Sequence, residues 1–311
     1  MDEKKIVSVE GHVLSSKNQP ETKRAKERNK EDRSYVPVIV KRIDEAVRHP
    51  DDTLERAIKE GLEQHRRSKL SLFLSAIAAG LILGFAGMCV ALVSQIFVGE
   101  ENFILNRLAV ALVYPLGFVV CIMSGTQLFT EHTATAVYPV LDDKTHFKSL
   151  ILLWCIVLLG NLFGTLISSY LLFMADNVIN AKEGYIYVMN HLIHFSSLEV
   201  FISAILAGWL MAQGGWLVLA TPPASSQLLC IYIVTFIIGL GGLHHSIAGS
   251  AEVFSGLFHV ENPEWLKSFK FLASAVIGNL VGGSLFVAVL NYGHIKKTQS
   301  YDEGESTYES K

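Results

Sequence analysis

Six long windows without a charged residue dominate this sequence, and a helix of about 20 apolar residues is what a bilayer crossing requires. The windows are 71–98, 108–130, 149–175, 200–220, 228–243 and 271–292. A chain built this way has few options, because backbone at membrane depth must satisfy its own N–H and C=O groups. Helices do so within one segment, so an all-α integral membrane protein with six transmembrane helices is expected. Hydrophobic residues make up 50% of the 311, and the net charge is only −3, so no whole-protein field points to a nucleic-acid partner.

The charges are instead gathered at the ends. Residues 1–69 form a hydrophilic N-terminal region with no apolar leader at its start. Its mixed-charge run, 23–33, is expected to be disordered. Pro50-Asp51-Asp52-Thr53 then reads as a helix start, with acids where the helix dipole favours them. Leu54, Ile58 and Leu62 follow at helical spacing, which predicts an amphipathic helix: a solvated cytoplasmic one is the first reading, and one lying on the membrane surface and running into the first span is the other. Residues 70–297 form the six-span domain, and 298–311 a disordered tail. Arg66, Arg67, Lys69, Lys144, Lys148, Lys296 and Lys297 flank one set of span ends, which puts both termini in the cytoplasm. Cys89, Cys121, Cys155 and Cys230 sit in apolar runs without CxxC spacing and read as small buried hydrophobes.

Two stretches break the pattern part-way across. One is Thr126-Gln127-Leu128-Phe129-Thr130-Glu131-His132-Thr133 in the second span, which then runs on to residue 141. The other is Gly239-Leu240-Gly241-Gly242-Leu243-His244-His245-Ser246 in the fifth, which runs on to Phe258. Non-helical backbone at that depth is tolerated where it is buried in protein or lines a watery path, and intramembrane histidines favour the path. A channel or transporter is therefore expected.

An internal repeat supports this. Ser75-Ala76-Ile77-Ala78-Ala79-Gly80 returns as Ser203-Ala204-Ile205-Leu206-Ala207-Gly208, and Gly160-Asn161-Leu162-Phe163-Gly164 as Gly278-Asn279-Leu280-Val281-Gly282. A three-span unit repeated once has its second copy inverted, the 3+3 plan of many transporters, with broken helices 2 and 5 meeting at the centre. The glycines read as close helix contacts, and Asn161 and Asn279 as partners for the backbone of the breaks.

Leu128-Phe129-Thr130, the Gly242-to-Ala248 segment and the paired Gly-Asn-Leu-x-Gly motifs resemble the formate/nitrite transporter family over roughly residues 70–297. The long charged N-terminus and the run Leu-Phe-Thr-Glu-x-Thr-x-Thr-Ala-Val further resemble its YfdC-like branch. The resemblance implies an aquaporin-like six-helix protomer in a bacterial inner membrane, assembled as a homopentamer with one pore per protomer. It implies passage of small monovalent anions (formate, nitrite or hydrosulfide) with a proton, no cofactor, and lipid as the surroundings.

Carried over by position, His245 is the central pore histidine and Thr130 its hydrogen-bonding partner. Leu128, Phe129, Phe118, Tyr114 and Ile238 fall at or near the apolar constrictions, His244 precedes the pore histidine, and Glu199 opens span four. The chain departs from the family at Gly208 and Gly249, which replace pore asparagines, and at Leu192, which replaces a vestibule lysine; His191 and His194 stand nearby. A histidine of ordinary pKa near 6.5 between apolar constrictions can assist protonation of the anion, which lowers the desolvation cost of passage.

Other classes can be read on the same residues. A metalloenzyme using His132, Glu131, His244 and His245 lacks an HExxH helix, and adjacent histidines on a helix diverge by about 100°. A non-transporting sensor or scaffold on the same fold is the main alternative, favoured by the missing lysine and asparagines. A water or glycerol channel lacks its Asn-Pro-Ala boxes.

Overall fold

A computed structural model describes residues 6–7, 13–14, 47–99 and 102–298. The chain divides into two units, Met1–Ile43 and Asp44–Lys311. Within the first, β1 (Ile6–Val7) pairs antiparallel with β2 (Val13–Leu14), Ile6 opposite Leu14 and Val7 opposite Val13. The mixed-charge run 23–33 and the tail beyond residue 298 lie outside the described residues.

The second unit is helical. It starts with α1 (Pro50–Arg66), capped by the His49 side chain accepting from the Asp51 N–H at 3.4 Å, with Asp51 and Asp52 in the first turn. The expectation that this helix runs into the first span is corrected: Arg67 is extended, and the Ser68 hydroxyl caps a separate helix by accepting from the Ser71 N–H at 3.1 Å. Nor does the apolar face of α1 need lipid to cover it. Leu54, Ala57 and Ile58 are buried in the main core, and Gly61 lies so close to the Thr135 carbonyl and Pro139 that a Cβ would overlap both. His65 adds bonds to the Ser149 hydroxyl (2.8 Å) and the Ala136 carbonyl (3.0 Å). The boundary between units thus falls before α1 rather than after it.

Six helices are long and apolar enough to cross a membrane, making this a multi-pass membrane protein. They are α2 (Lys69–Gln95), α3 (Phe103–Met123), α6 (Phe147–Met174), α9 (Ser197–Ala220), α10 (Ala224–Gly241) and α12 (Trp265–Gly283). The last continues through a π-helical segment, Ser284–Val289, and on to Thr298. Between them lie the short α4 (His132–Thr135), α5 (Tyr138–Leu141) and α7 (Asp176–Ile179), then α8 (Lys182–His194) and α11 (Ser246–His259). The outward faces carry large exposed apolar side chains such as Phe85, Leu159, Leu171, Ile202 and Leu290, as a lipid-facing surface does.

The second span differs from its expected 108–130. It starts at Phe103 and stops at Met123, because Gly125 takes a left-handed turn (φ +66°) and the Thr126 hydroxyl donates back to the Cys121 carbonyl at 2.8 Å. The chain then crosses its break without helix until His132. The fifth span ends at Gly241, where Gly242 is left-handed (φ +57°), and α11 restarts at Ser246.

Each break is fastened by an asparagine, and the two fastenings repeat one another. Asn161 on α6 accepts from the Phe129 N–H at 2.8 Å and donates to the carbonyls of Gln127 (2.8 Å) and Ala76 (2.8 Å). Asn279 on α12 accepts from the Ser246 N–H at 2.8 Å and donates to the carbonyls of His244 (3.1 Å) and Ala204 (2.8 Å). The Ser75 hydroxyl accepts from the Gln127 N–H at 3.2 Å, and the Ser203 hydroxyl from the His244 N–H at 3.1 Å. A Cβ at Gly80 would overlap the Asn161 carbonyl, and one at Gly208 the Asn279 carbonyl, so both helix pairs close to backbone contact.

Candidate functional site

The breaks place two polar side chains face to face at the centre of the domain. His245 is the N-cap of α11: its Nδ1 accepts from the Ala248 N–H at 3.1 Å. That bond fixes the neutral ring with its proton on Nε2, and Nε2–H is then the donor to the Thr130 hydroxyl oxygen at 2.6 Å. Thr130 is held in turn by its carbonyl, which accepts from the Thr133 hydroxyl at 3.0 Å. Both residues are buried, and the walls around them are apolar. Phe118 stands edge-on to the imidazole with centroids 5.0 Å apart, and Tyr114 lies 5.0 Å from Phe118. Leu128, Phe129 and Ile238 are likewise buried.

On one side of the pair a cavity of about 90 Å³ opens. His245, Ile238 and Tyr114 line it, and Gly249 leaves room where a side chain would meet the Phe271 ring. The upper wall is polar: Arg107 and Asn106 from α3, and Tyr187 and His191 from α8. The Arg107 guanidinium lies over Gly242, whose missing side chain makes that approach possible, and over the Phe103 ring at 4.8 Å. His191 is held below the usual histidine range by burial, with the charges of Arg107 and His194 adding to the effect. Arg107 is the cation that lines this vestibule at any working pH.

Arg107 and Glu252 are absent from the residues expected on the pathway. The first reads in the sequence as an outer-loop charge and the second as an outer-surface cap. A helical signal was present for both: Phe103, Arg107, Val110 and Tyr114 recur along one face of α3, and His245, Gly249 and Glu252 along one face of α11.

Three expected pathway residues stand elsewhere. His244 points away from Thr130, with its ring against Phe195 (5.3 Å) and Phe271 (5.7 Å) and its two ring nitrogens without hydrogen bonds among the described residues. Gly208 faces Asn279. Glu199 closes a capping box with Ser196, accepting from the Ser196 N–H at 2.8 Å, and lies at an exposed helix start. On the other side of the pair, the His132 Nδ1–H donates to the Leu128 carbonyl at 3.0 Å, and Glu131 is buried beside it. Among the described residues no cluster of histidine, cysteine and acid side chains gathers that could hold a metal.

Six spans, two of them interrupted at the centre and meeting across a buried threonine–histidine pair, define a membrane protein of the channel and transporter class. A family model described as "Formate/nitrite transporter" matches residues 51–293, and the chain belongs to that family. It is 31% identical over 254 residues to "Inner membrane protein YfdC" of Escherichia coli (strain K12), covering 79% of each chain. Among solved structures it resembles an "FNT family ion channel" (TM-score 0.71, 17% identity, 78% of this chain and 99% of that one). It also resembles a "Pentameric formate channel with formate bound" (TM-score 0.62, 20% identity, 72% and 96%).

Proposed function

We propose that this protein passes small monovalent anions (formate, nitrite or hydrosulfide) across a bacterial inner membrane, and that it works as a transporter or channel and not as an enzyme. The observation that carries the reading is the 2.6 Å Thr130–His245 bond at the floor of a vestibule whose mouth holds Arg107. An anion drawn in by the guanidinium meets Tyr114 and Phe118 and then the imidazole. Between apolar walls a bare anion incurs a large desolvation penalty, whereas a neutral weak acid incurs far less. His245 assists that neutralisation: the approaching anion favours the imidazolium, and a proton passed from the ring to the anion leaves a neutral acid. Protonating Nδ1 costs the Ala248 cap, which keeps the ring neutral until an anion is present.

In the rest of the reading the two halves are related by inversion, both termini are cytoplasmic, the vestibule with Arg107 faces outward, and five protomers assemble with one pathway each. The paired asparagine fastenings support the repeat, and the lysine and arginine flanks support the orientation. The likeness to a pentameric channel with formate bound supports the substrate and the assembly. Uptake of the three anions into liposomes, with His245→Ala beside the wild type, tests it. Saturable uptake that the variant loses, or alters in pH dependence, is expected. Folded, oligomeric wild-type protein that moves none of the three would overturn it.

A further inference from the structure

The vestibule above His245 contains a carboxyl group that nothing so far has used. Glu252 lies seven residues beyond His245 on α11, two turns up the same face, and its side chain lines the same cavity. It is 6% exposed. Its Cγ packs beside Gly87 of α2, where a Cβ would stand in ordinary van der Waals contact with it at 3.5 Å. Among the described residues the carboxyl takes part in no hydrogen bond or ion pair, although buried carboxyls normally find partners.

Its surroundings explain why. Along the cavity the ionisable groups are Arg107 and Tyr114 from α3, Tyr187 and His191 from α8, and His245 from α11 itself. Further out are His259, which is stacked on Tyr185, and Asp176. The remaining packed helices present nothing charged: α2 gives Val90 and Ser94, α6 the hydroxyls of Thr165 and Ser169 bonded to Ser250 and the Ala251 carbonyl, and α12 the Phe271 ring. An ionised Glu252 would therefore compete with the anion for Arg107, the cation that lines the same cavity. In a space of about 90 Å³ it would also face the anion. Two like charges about 5 Å apart at an effective dielectric near 20 weaken binding on the order of a hundredfold.

We infer that Glu252 occupies the vestibule as its carboxylic acid whenever an anion is bound, donating an O–H···O hydrogen bond to it, so that each anion enters together with one proton. The inference rests on the anion reading above and names the group that brings the proton in. His245 is poorly placed to be that first carrier, because Thr130 and Ala248 engage both ring nitrogens. No bond to carbon changes. The proton comes from water at the vestibule mouth and is shared between the carboxyl and the anion. As the anion moves on, the proton passes with it to the imidazole, which hands it to the anion, and the carboxylate left behind takes a new proton from water.

The test is tracer formate exchange in liposomes at equal pH on both faces, from about pH 5 to about pH 9, with empty liposomes subtracted. Over that range the formate concentration is nearly constant, so a change in KM reports a group of the protein. For the wild type, KM is expected to be flat at low pH and to rise about tenfold per pH unit above the ionisation of Glu252. In Glu252→Gln, which cannot ionise, the rising limb should vanish. The wild type also gives a reading that needs no variant. Calorimetry of formate binding in buffers of different ionisation heat should count about one proton taken up per anion on the alkaline limb. A limb that survives in E252Q, or binding without proton uptake, overturns the inference and leaves the anion reading standing. No exchange and no binding by the wild type removes both.

Discussion

Replacing Asn279 by alanine is the most informative perturbation of the fold. The side chain is fully buried and is the partner of the Ser246 N–H and the His244 carbonyl, two backbone groups that no helix can serve. Leaving a buried backbone group unpaired costs about 1–3 kcal/mol. Two such groups give about 2–6 kcal/mol before any cavity is counted, a large share of a typical domain's total of about 5–15 kcal/mol. Asn161→Ala strands the equivalent pair, the Phe129 N–H and the Gln127 carbonyl, and should cost about the same. The two asparagines share no partner, so the double variant should approach the sum. Unfolding in detergent by graded denaturant, followed by helix circular dichroism, reads all three. Single losses below about 1 kcal/mol would refute the reasoning, because water or neighbouring groups would then be serving the breaks instead. A clear inequality between the two singles would refute the equivalence of the halves.

A further prediction concerns Asp142 in the loop before α6. Burial pushes its carboxyl up, but hydrogen bonds from Lys144 (2.7 Å) and Tyr292 (3.0 Å), with the charge of Lys296, outweigh that and hold it below the ordinary aspartate range. A depressed folded-state pKa contributes stability that is present above the unfolded value of about 3.9 and is lost as pH falls through the folded one. Asp142→Asn should therefore lower the melting temperature at neutral pH, and the gap to the wild type should close below about pH 4. At the helix crossings, Gly80→Ala and Gly208→Ala should each cost about 1–3 kcal/mol in the same denaturant assay, since the added methyl meets backbone that cannot move aside. Wild-type stability in either variant would mean the helices have room to separate at these crossings.

Much of this was readable from the chain, for physical reasons that also mark the limits. The spans follow from uncharged length. The role of Asn161 and Asn279 follows from polar side chains repeated in apolar surroundings beside interrupted helices. Hydropathy could not place the end of α3, because residues 124–130 are as uncharged as the helix before them; the turn depends on Gly125 and on one hydroxyl bond from Thr126. The break between α1 and α2 escaped for a similar reason, since a single serine cap separates two helices whose sequences run on. Arg107 and Glu252 were missed because each was assigned by its distance from a span end, while the partner that makes a vestibule of them comes from another helix. Gly242 beneath the guanidinium is over a hundred residues away in the chain.

The fastenings of the two breaks have a consequence for how such a protein is made. The groups that secure the first break, Ser75, Ala76 and Asn161, all lie within the first three spans. Ser203, Ala204 and Asn279 do the same for the second within the last three. Neither asparagine reaches into the other half for a backbone partner. As the chain leaves the ribosome, the first half can therefore seal its exposed amides against lipid before the second has been synthesised. The Thr130–His245 bond, which ties one break to the other, is left to form last, when the halves meet.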